Sequence, residues 1–270
     1  MTTTPIAARL AFLDTLSSAA RAITLPLFRS GVAAQNKAES GYDPVTEADI
    51  EAERELRRLI RAEFPDDSIE GEELPDHRGT NDFSWTLDPI DGTRGFVAGV
   101  PVWSTLIALS QGGEPVLGLI DLPALHMRAV GDISGEPIAT LIHDDGTNET
   151  LRVRTIDALS DARLGCTQPF GMFGPGELAA YKMIQSGVAF SRLGLDAFGY
   201  VLLAQGRMDL MVEGGMKPCD VRALMPVVIG AGGVITDWHG GSPKDGPRLV
   251  ACGSPKLMPE LYTYLGRAIL

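Results

Sequence analysis

Apolar side chains recur every three to four residues from Ile6 through Leu10, Leu13, Leu16, Ala20, Ile23 and Leu27, one face of a helix. The spacing predicts a helix over 6–30, closed by Gly31. A second helix is expected over 46–64, with Ile50, Leu56, Leu59 and Ile60 on its apolar side and Pro65 ending it. Residues 37–43 between them read as a polar turn region. Strands are expected over 68–70, 84–90, 102–109 and 114–121, the last two joined by Gln111-Gly112-Gly113, a hairpin signal. Further short strands should follow to about residue 155. The rhythm then changes: helices over 176–187, 197–205 and 221–231 alternate with strands over 189–193, 208–213 and 234–238. Pro226 must kink the last of these helices or sit in its first turns.

Such alternation predicts stacked layers of helices and strands. The polar cluster His143-Asp144-Asp145-Gly146-Thr147 marks a join near 140–150. It divides one continuous domain into an N-terminal α+β part (1–145) and a C-terminal α/β part (146–270). Composition adds limits rather than detail. At 270 residues, 44% hydrophobic and 21% charged, the chain has material for a substantial core. Its 23 basic against 35 acidic residues give a net charge of −12, the wrong sign for a nucleic-acid surface. No apolar run approaches the roughly 18–20 residues of a membrane span, and residues 1–21 lack a secretory leader pattern. Cys166, Cys219 and Cys252 are too few and too scattered for a disulfide framework. The expectation is a cytoplasmic, reduced protein that binds neither nucleic acid nor membrane. The four histidines are scattered and read as surface or packed residues.

Chemistry concentrates in Asp88-Pro89-Ile90-Asp91-Gly92-Thr93. Two carboxylates three residues apart end an apolar strand; Pro89 fixes the backbone there and Gly92 permits a sharp turn. They can converge on one hard cation, of which magnesium is the natural candidate. The turn opens toward a helix start, where amides of Gly92 and Thr93 could hold a phosphate. Each acid also has a plainer reading. Asp91 could cap the next element, and Gly71-Glu72-Glu73 could be a solvated loop. Asp220 would suit an N-cap of the helix from 221, and Asp49 a first-turn acid.

Four segments in order, Val45-Thr46-Glu47-Ala48-Asp49, Gly71-Glu72-Glu73, Asp88-Pro89-Ile90-Asp91-Gly92-Thr93 and Cys219-Asp220-Val221, resemble the inositol-monophosphatase-like family of metal-dependent phosphatases. The resemblance covers residues 10–265. It implies an α+β fold, a layered α-β-α-β-α sandwich, a usual homodimer, frequent lithium sensitivity and two or three Mg2+ ions per active site. Carried over by residue, Glu72, Asp88 and the Ile90 carbonyl would hold one ion. Asp88, Asp91 and Asp220 would hold a second. Thr93, with Glu72 and Asp49, would orient the attacking water. Cys219 stands where a tryptophan is common, a smaller group expected to loosen the pocket wall. Lys37 lies one position off the family spacing to Asp49 and receives no role.

Residues 99–109, 196–200 and 236–240 look most like the histidinol-phosphate phosphatase branch. That implies a small phosphorylated metabolite, histidinol phosphate, as substrate. Asp196 and Glu213 would face its ammonium and imidazole as a carboxylate pair, with Arg192 ordering the loop or pairing with Asp196. Asp196 alternatively serves as N-cap of the helix from 197. An inositol or sugar monophosphatase, a 3′-nucleotidase of the same fold and a non-catalytic metal-binding protein are the competing functions.

Overall fold

A computed structural model describes residues 5–31, 33–36 and 44–269; Lys37 and the rest of 37–43 lie outside the described residues. The first part of the chain forms α1 (Pro5–Leu27), β1 (Ala34–Asn36), β2 (Pro44–Thr46), α2 (Glu47–Glu63), β3 (Ser68–Gly71), β4 (Phe83–Asp91) and α3 (Thr93–Ala98). Then come β5 (Ser104–Gln111), β6 (Glu114–Leu122), β7 (Met127–Asp132), β8 (Ile138–His143), β9 (Asn148–Thr150) and β10 (Arg163–Cys166). The turn α4 (Pro169–Met172) leads to α5 (Pro175–Gly187), β11 (Phe190–Leu193), α6 (Phe198–Ala204) and β12 (Leu210–Glu213). The chain closes with α7 (Pro218–Arg222), α8 (Leu224–Gly230), β13 (Val234–Thr236), β14 (Leu249–Cys252) and α9 (Met258–Leu265).

Two sheets organise the molecule, one ordered β3-β4-β5-β6-β7-β8-β9 and the other β11-β10-β12-β14-β13. The first is antiparallel apart from the parallel pair β3–β4. Burial on both faces explains the layering. In β5, Ile107 and Leu109 pack with Leu13, Leu16, Leu56 and Ile60 of α1 and α2. Leu106 and Ala108 on the opposite face join Tyr200, Val201, Leu224 and Val227 of α6 and α8. In β12, Met211 belongs to that same middle core, whereas Leu210 and Val212 meet Tyr181, Ile184, Leu261 and Leu265 of α5 and α9. The order is therefore α1/α2, seven-stranded sheet, α6/α7/α8, five-stranded sheet, α5/α9: the α-β-α-β-α sandwich. A strand buried on both faces reads as a continuous apolar run, as β5 does.

The helix expected over 221–231 is two short helices that meet at Ala223. Pro226 sits in the first turn of α8, where its missing N–H costs nothing. This segment lies hard against the sheet. A Cβ built on Gly131 would stand 2.2 Å from the Pro226 carbonyl carbon, so only glycine admits the helix there. Elements not expected are β1, β2, β10, α4, β14 and α9, whereas α3 begins where the turn after Gly92 was read to open toward a helix. Strand β5 starts at Ser104 rather than 102, and β12 at Leu210 rather than 208. Among the described residues, no helix is long and apolar enough to cross a membrane.

Candidate active site

Glu72 follows directly on β3, and α2 holds its loop. The buried Glu53 carboxylate accepts hydrogen bonds from the amides of Glu73 (2.8 Å) and Leu74 (3.2 Å). Arg57 donates to Glu53 (2.7 Å) and to the carbonyls of Leu74 (2.9 Å) and Pro75 (3.0 Å). A Cβ on Gly71 would fall 2.1 Å from Glu53 Oε1, which explains the glycine before Glu72.

The next carboxylates sit on a bulge. Strand β4 pairs residue for residue with β5 as far as Asp88↔Leu106, then its register shifts before Asp91↔Ser104. The extra residue re-aims the strand end, a use of bulges common beside active sites. Pro89 occupies the irregularity, where no ladder donor is required. Its carbonyl accepts from Thr105 Oγ1 at 2.8 Å, and the Ile90 amide donates to Asp88 Oδ1 at 3.1 Å. Asp91 Oδ2 accepts from Ser104 Oγ (3.0 Å) and from the Ala197 amide (3.1 Å). Gly92 then turns with φ 79° into α3, and Thr93 Oγ1 donates to the Ile90 carbonyl at 3.1 Å.

From the far side, α7 brings in Asp220. Its plainer reading as an N-cap does not hold, whereas its place beside Glu72 and Asp88 is the one the metal reading requires. Asp220 is the third residue of α7, and its Oδ2 accepts from the backbone amide of Lys217 at the cap position, 2.7 Å away. Ligand atoms of Glu72, Asp88, Cys219 and Asp220 lie within 4.8 Å of one another. Cys219 is buried and its thiol reaches Asp220 Oδ1 at 3.5 Å, packed against the acids. A cavity of about 540 Å³ opens over this group, lined among others by Glu72, Asp88, Ile90, Asp91, Gly92, Thr93, Asp196 and Asp220.

Asp49, Glu213 and Arg192 stand outside the cavity lining, while Asp196 lines it as expected. Asp49 is buried behind the cavity, accepting from Thr46 N (2.8 Å) and Thr46 Oγ1 (2.6 Å) in a capping box at the start of α2. Glu213 does not line the cavity. Its carboxyl is held by Thr167 N (2.7 Å), Thr167 Oγ1 (3.0 Å) and Cys166 Sγ (3.5 Å), behind the wall that Thr167 forms. Arg192 is exposed on β11, at a sheet edge, and pairs with no carboxylate among the described residues. Arg94 is the cation beside Asp196, and it also donates to Gln168 Oε1 at 2.9 Å. Asp196 is not an N-cap either. It takes φ 46°, a left-handed conformation that Asp tolerates, and Ala197 occupies the cap position of α6. Its carboxyl lies against Gly92, where a Cβ would come within 3.1 Å of Asp196 Cγ.

Crowded burial governs the electrostatics. Asp88 is pushed well above the usual carboxylate range by burial first and then by Glu72, Asp91, Asp220 and Asp49. Asp91 is raised by burial, Asp196 and Asp220, against hydrogen bonds from Ala197 and Ser104. Burial lifts Asp220 to about 6 despite the Lys217 amide, and Asp196 to about 6 despite Arg94. It lifts Glu213 to about 8 against the Thr167 hydrogen bonds. Buried oxygens that resist ionisation together form a donor set that a hard divalent cation satisfies. The residues present fit magnesium.

Lys217 was missed from sequence. Its Nζ donates to Glu72 Oε1 at 2.9 Å across the cavity mouth. Pro218 and Asp220 signal a helix starting one residue after Lys217, so its cap position was readable. Its reach to Glu72 was not, because 145 residues separate them.

Comparison with known proteins agrees with this geometry. The family model described as the inositol monophosphatase family matches residues 8–269. The chain is 41% identical over 205 residues to the bifunctional phosphatase IMPL2, chloroplastic, of Arabidopsis thaliana, an alignment covering 73% of this chain and 55% of that longer protein. It is 34% identical over 265 residues to the histidinol-phosphatase of Streptomyces coelicolor, covering 93% and 94% of the two chains. Its fold superposes on an inositol monophosphatase from Zymomonas mobilis with TM-score 0.84 at 33% identity, covering 97% and 99%. On sequence, fold and the convergence of its acidic motifs, the chain belongs to the inositol monophosphatase family of metal-dependent phosphatases.

Proposed function

We propose that the protein is a magnesium-dependent histidinol-phosphate phosphatase, converting histidinol phosphate and water to histidinol and phosphate. Asp196 carries the substrate assignment. It is the acid on the cavity wall outside the cluster of Glu72, Asp88 and Asp220 and without the strand-end hydrogen bonds of Asp91. Histidinol carries an ammonium and an imidazole that is partly protonated near neutrality. A largely desolvated carboxylate favours such a cation over a neutral polyol, by roughly 1.5 to 3 kcal/mol for a charge-assisted hydrogen bond. Glu213 contributes indirectly, by fixing Thr167 in the wall. Likeness over nearly the full length to the Streptomyces coelicolor enzyme supports the reading.

In this reading Glu72, Asp88 and the Ile90 carbonyl would hold one ion, and Asp88, Asp91 and Asp220 would hold a second. Bound magnesium would supply the positive charge that activates water and neutralises the leaving oxygen. Gly92 and Thr93 seat the phosphate. Thr93 and Glu72 orient the attacking water, while Asp49 keeps the start of α2 against the site. Water attacks phosphorus as the ester bond to the alkoxide breaks; of the water's two protons one stays on the released hydrogen phosphate and the other passes to the alkoxide, which leaves as the alcohol. No side chain becomes phosphorylated.

Likeness to the Zymomonas mobilis enzyme favours inositol 1-phosphate as the second reading. Steady-state kinetics with both esters separates the two. The wild type should prefer histidinol phosphate in kcat/KM by at least about tenfold, and Asp196→Asn should shrink that ratio. A preference for inositol 1-phosphate, or an unchanged ratio in the variant, contradicts the assignment.

A further inference from the structure

Among the described residues lining the cavity, five are acidic (Glu72, Asp88, Asp91, Asp196, Asp220) and two are basic (Arg94, Lys217). Arg94 lies beside Asp196 and Gln168. Lys217 instead reaches the metal-binding acids, 2.9 Å from Glu72 Oε1, with half of its side chain still exposed. Its backbone is held, and its side chain ends on Glu72. The Lys217 amide is tied to Asp220 Oδ2, and the preceding Met216 amide to the Pro247 carbonyl at 2.9 Å. The four-carbon stem leaves the ammonium able to move over the cavity mouth.

We infer that the Lys217 ammonium is an internal competitor for the Glu72 carboxylate, displaced when a divalent ion binds there and then available to the substrate phosphate. The inference rests on the magnesium-phosphatase reading above. An ammonium and a divalent ion drawn to the same Glu72 carboxylate repel each other, so ion entry weakens the Lys217–Glu72 pair. A displaced ammonium on this wall faces a cavity whose substrate carries a phosphate dianion. That is the charge which an acidic pocket otherwise repels. Lys217 would thus tax ion binding and repay it in phosphate binding, acting as a positioning residue.

The test is thermal melting of the whole protein, titrated first with magnesium chloride and then, at saturating magnesium, with inorganic phosphate. Lys217→Gln keeps the backbone cap and removes the charge. Its magnesium midpoint should fall about two- to fivefold, the yield of losing a half-exposed ion pair. Its phosphate midpoint should rise at least about threefold, for the same reason in reverse. Lys217→Arg should return both midpoints toward wild type, and Lys217→Met serves in place of the glutamine variant if that one does not fold. A magnesium midpoint unchanged or raised in the charge-free variant overturns the inference while leaving the phosphatase reading intact. An unchanged phosphate midpoint likewise overturns it. Melting that ignores magnesium in wild type and variant alike overturns the inference and the metal reading together.

Discussion

Asp88→Asn should lose at least about a hundredfold in turnover at saturating magnesium while keeping its fold. Asp88 is the one acid assigned to both proposed ions. Asparagine preserves its shape and its bond from the Ile90 amide but removes the charge that couples them. Metal stabilisation of transition-state charge amounts to several kcal/mol, which sets the scale of the loss. In chelator the variant should melt at or above the wild-type temperature, because Glu72, Asp91, Asp220 and Asp49 all repel the buried charge it lacks. Phosphate release and circular dichroism on one preparation check both halves. More than a tenth of wild-type turnover would sink the assignment of Asp88.

The second large effect is on stability. Without divalent ions, Asp196 and Asp220 hold their protons to about 6 and Glu213 to about 8. In the unfolded chain such groups titrate near 4. Between these values the folded state binds more protons than the unfolded state, so stability falls as pH rises. This contribution is fully present below about pH 4 and lost progressively by about pH 8. Melting temperature in chelator should therefore drop from pH 5 to pH 8. Magnesium at about a hundred times its dissociation constant should add roughly 2.7 kcal/mol. For a chain of this size that is about 5–10 °C. Binding an ion replaces repulsion among the acids, so the gain should be larger at pH 8 than at pH 5. Calorimetry across this grid decides the matter: melting indifferent to magnesium would make the carboxylates purely structural.

What could be read from the chain divides by locality. The turn at Asp88–Thr93 is local, since Pro89, Gly92 and the two acids act within six residues, and the structure puts the two acids on one bulge with Gly92 turning directly after it. Long periodic elements such as α1 and α2 were legible for the same reason. Short ones were read unevenly: β3, β11 and β12 were placed, whereas β10 and β14, also of four residues each, were not. The helix over 221–231 was misread as continuous because its apolar positions run on through Ala223, where the backbone passes from one helix to the next. Side-chain direction was the least legible quantity. Glu213 has the sequence position of a cavity residue, yet Thr167, 46 residues earlier, claims its carboxyl. Arg192 was read as ordering the loop or pairing with Asp196, but the edge strand carries it outward and the helix after Gly92 supplies Arg94. These outcomes depend on which distant backbone closes over a residue.

The central claim, cation-dependent hydrolysis of a phosphate monoester at the Glu72–Asp88–Asp91–Asp220 site, is tested most directly by phosphate release from histidinol phosphate before chelation, after it, and after magnesium is restored. The account predicts that chelation lowers the rate by at least about a hundredfold and that magnesium alone restores it. Turnover that survives exhaustive chelation, or that magnesium fails to restore to a still-folded protein, would contradict it.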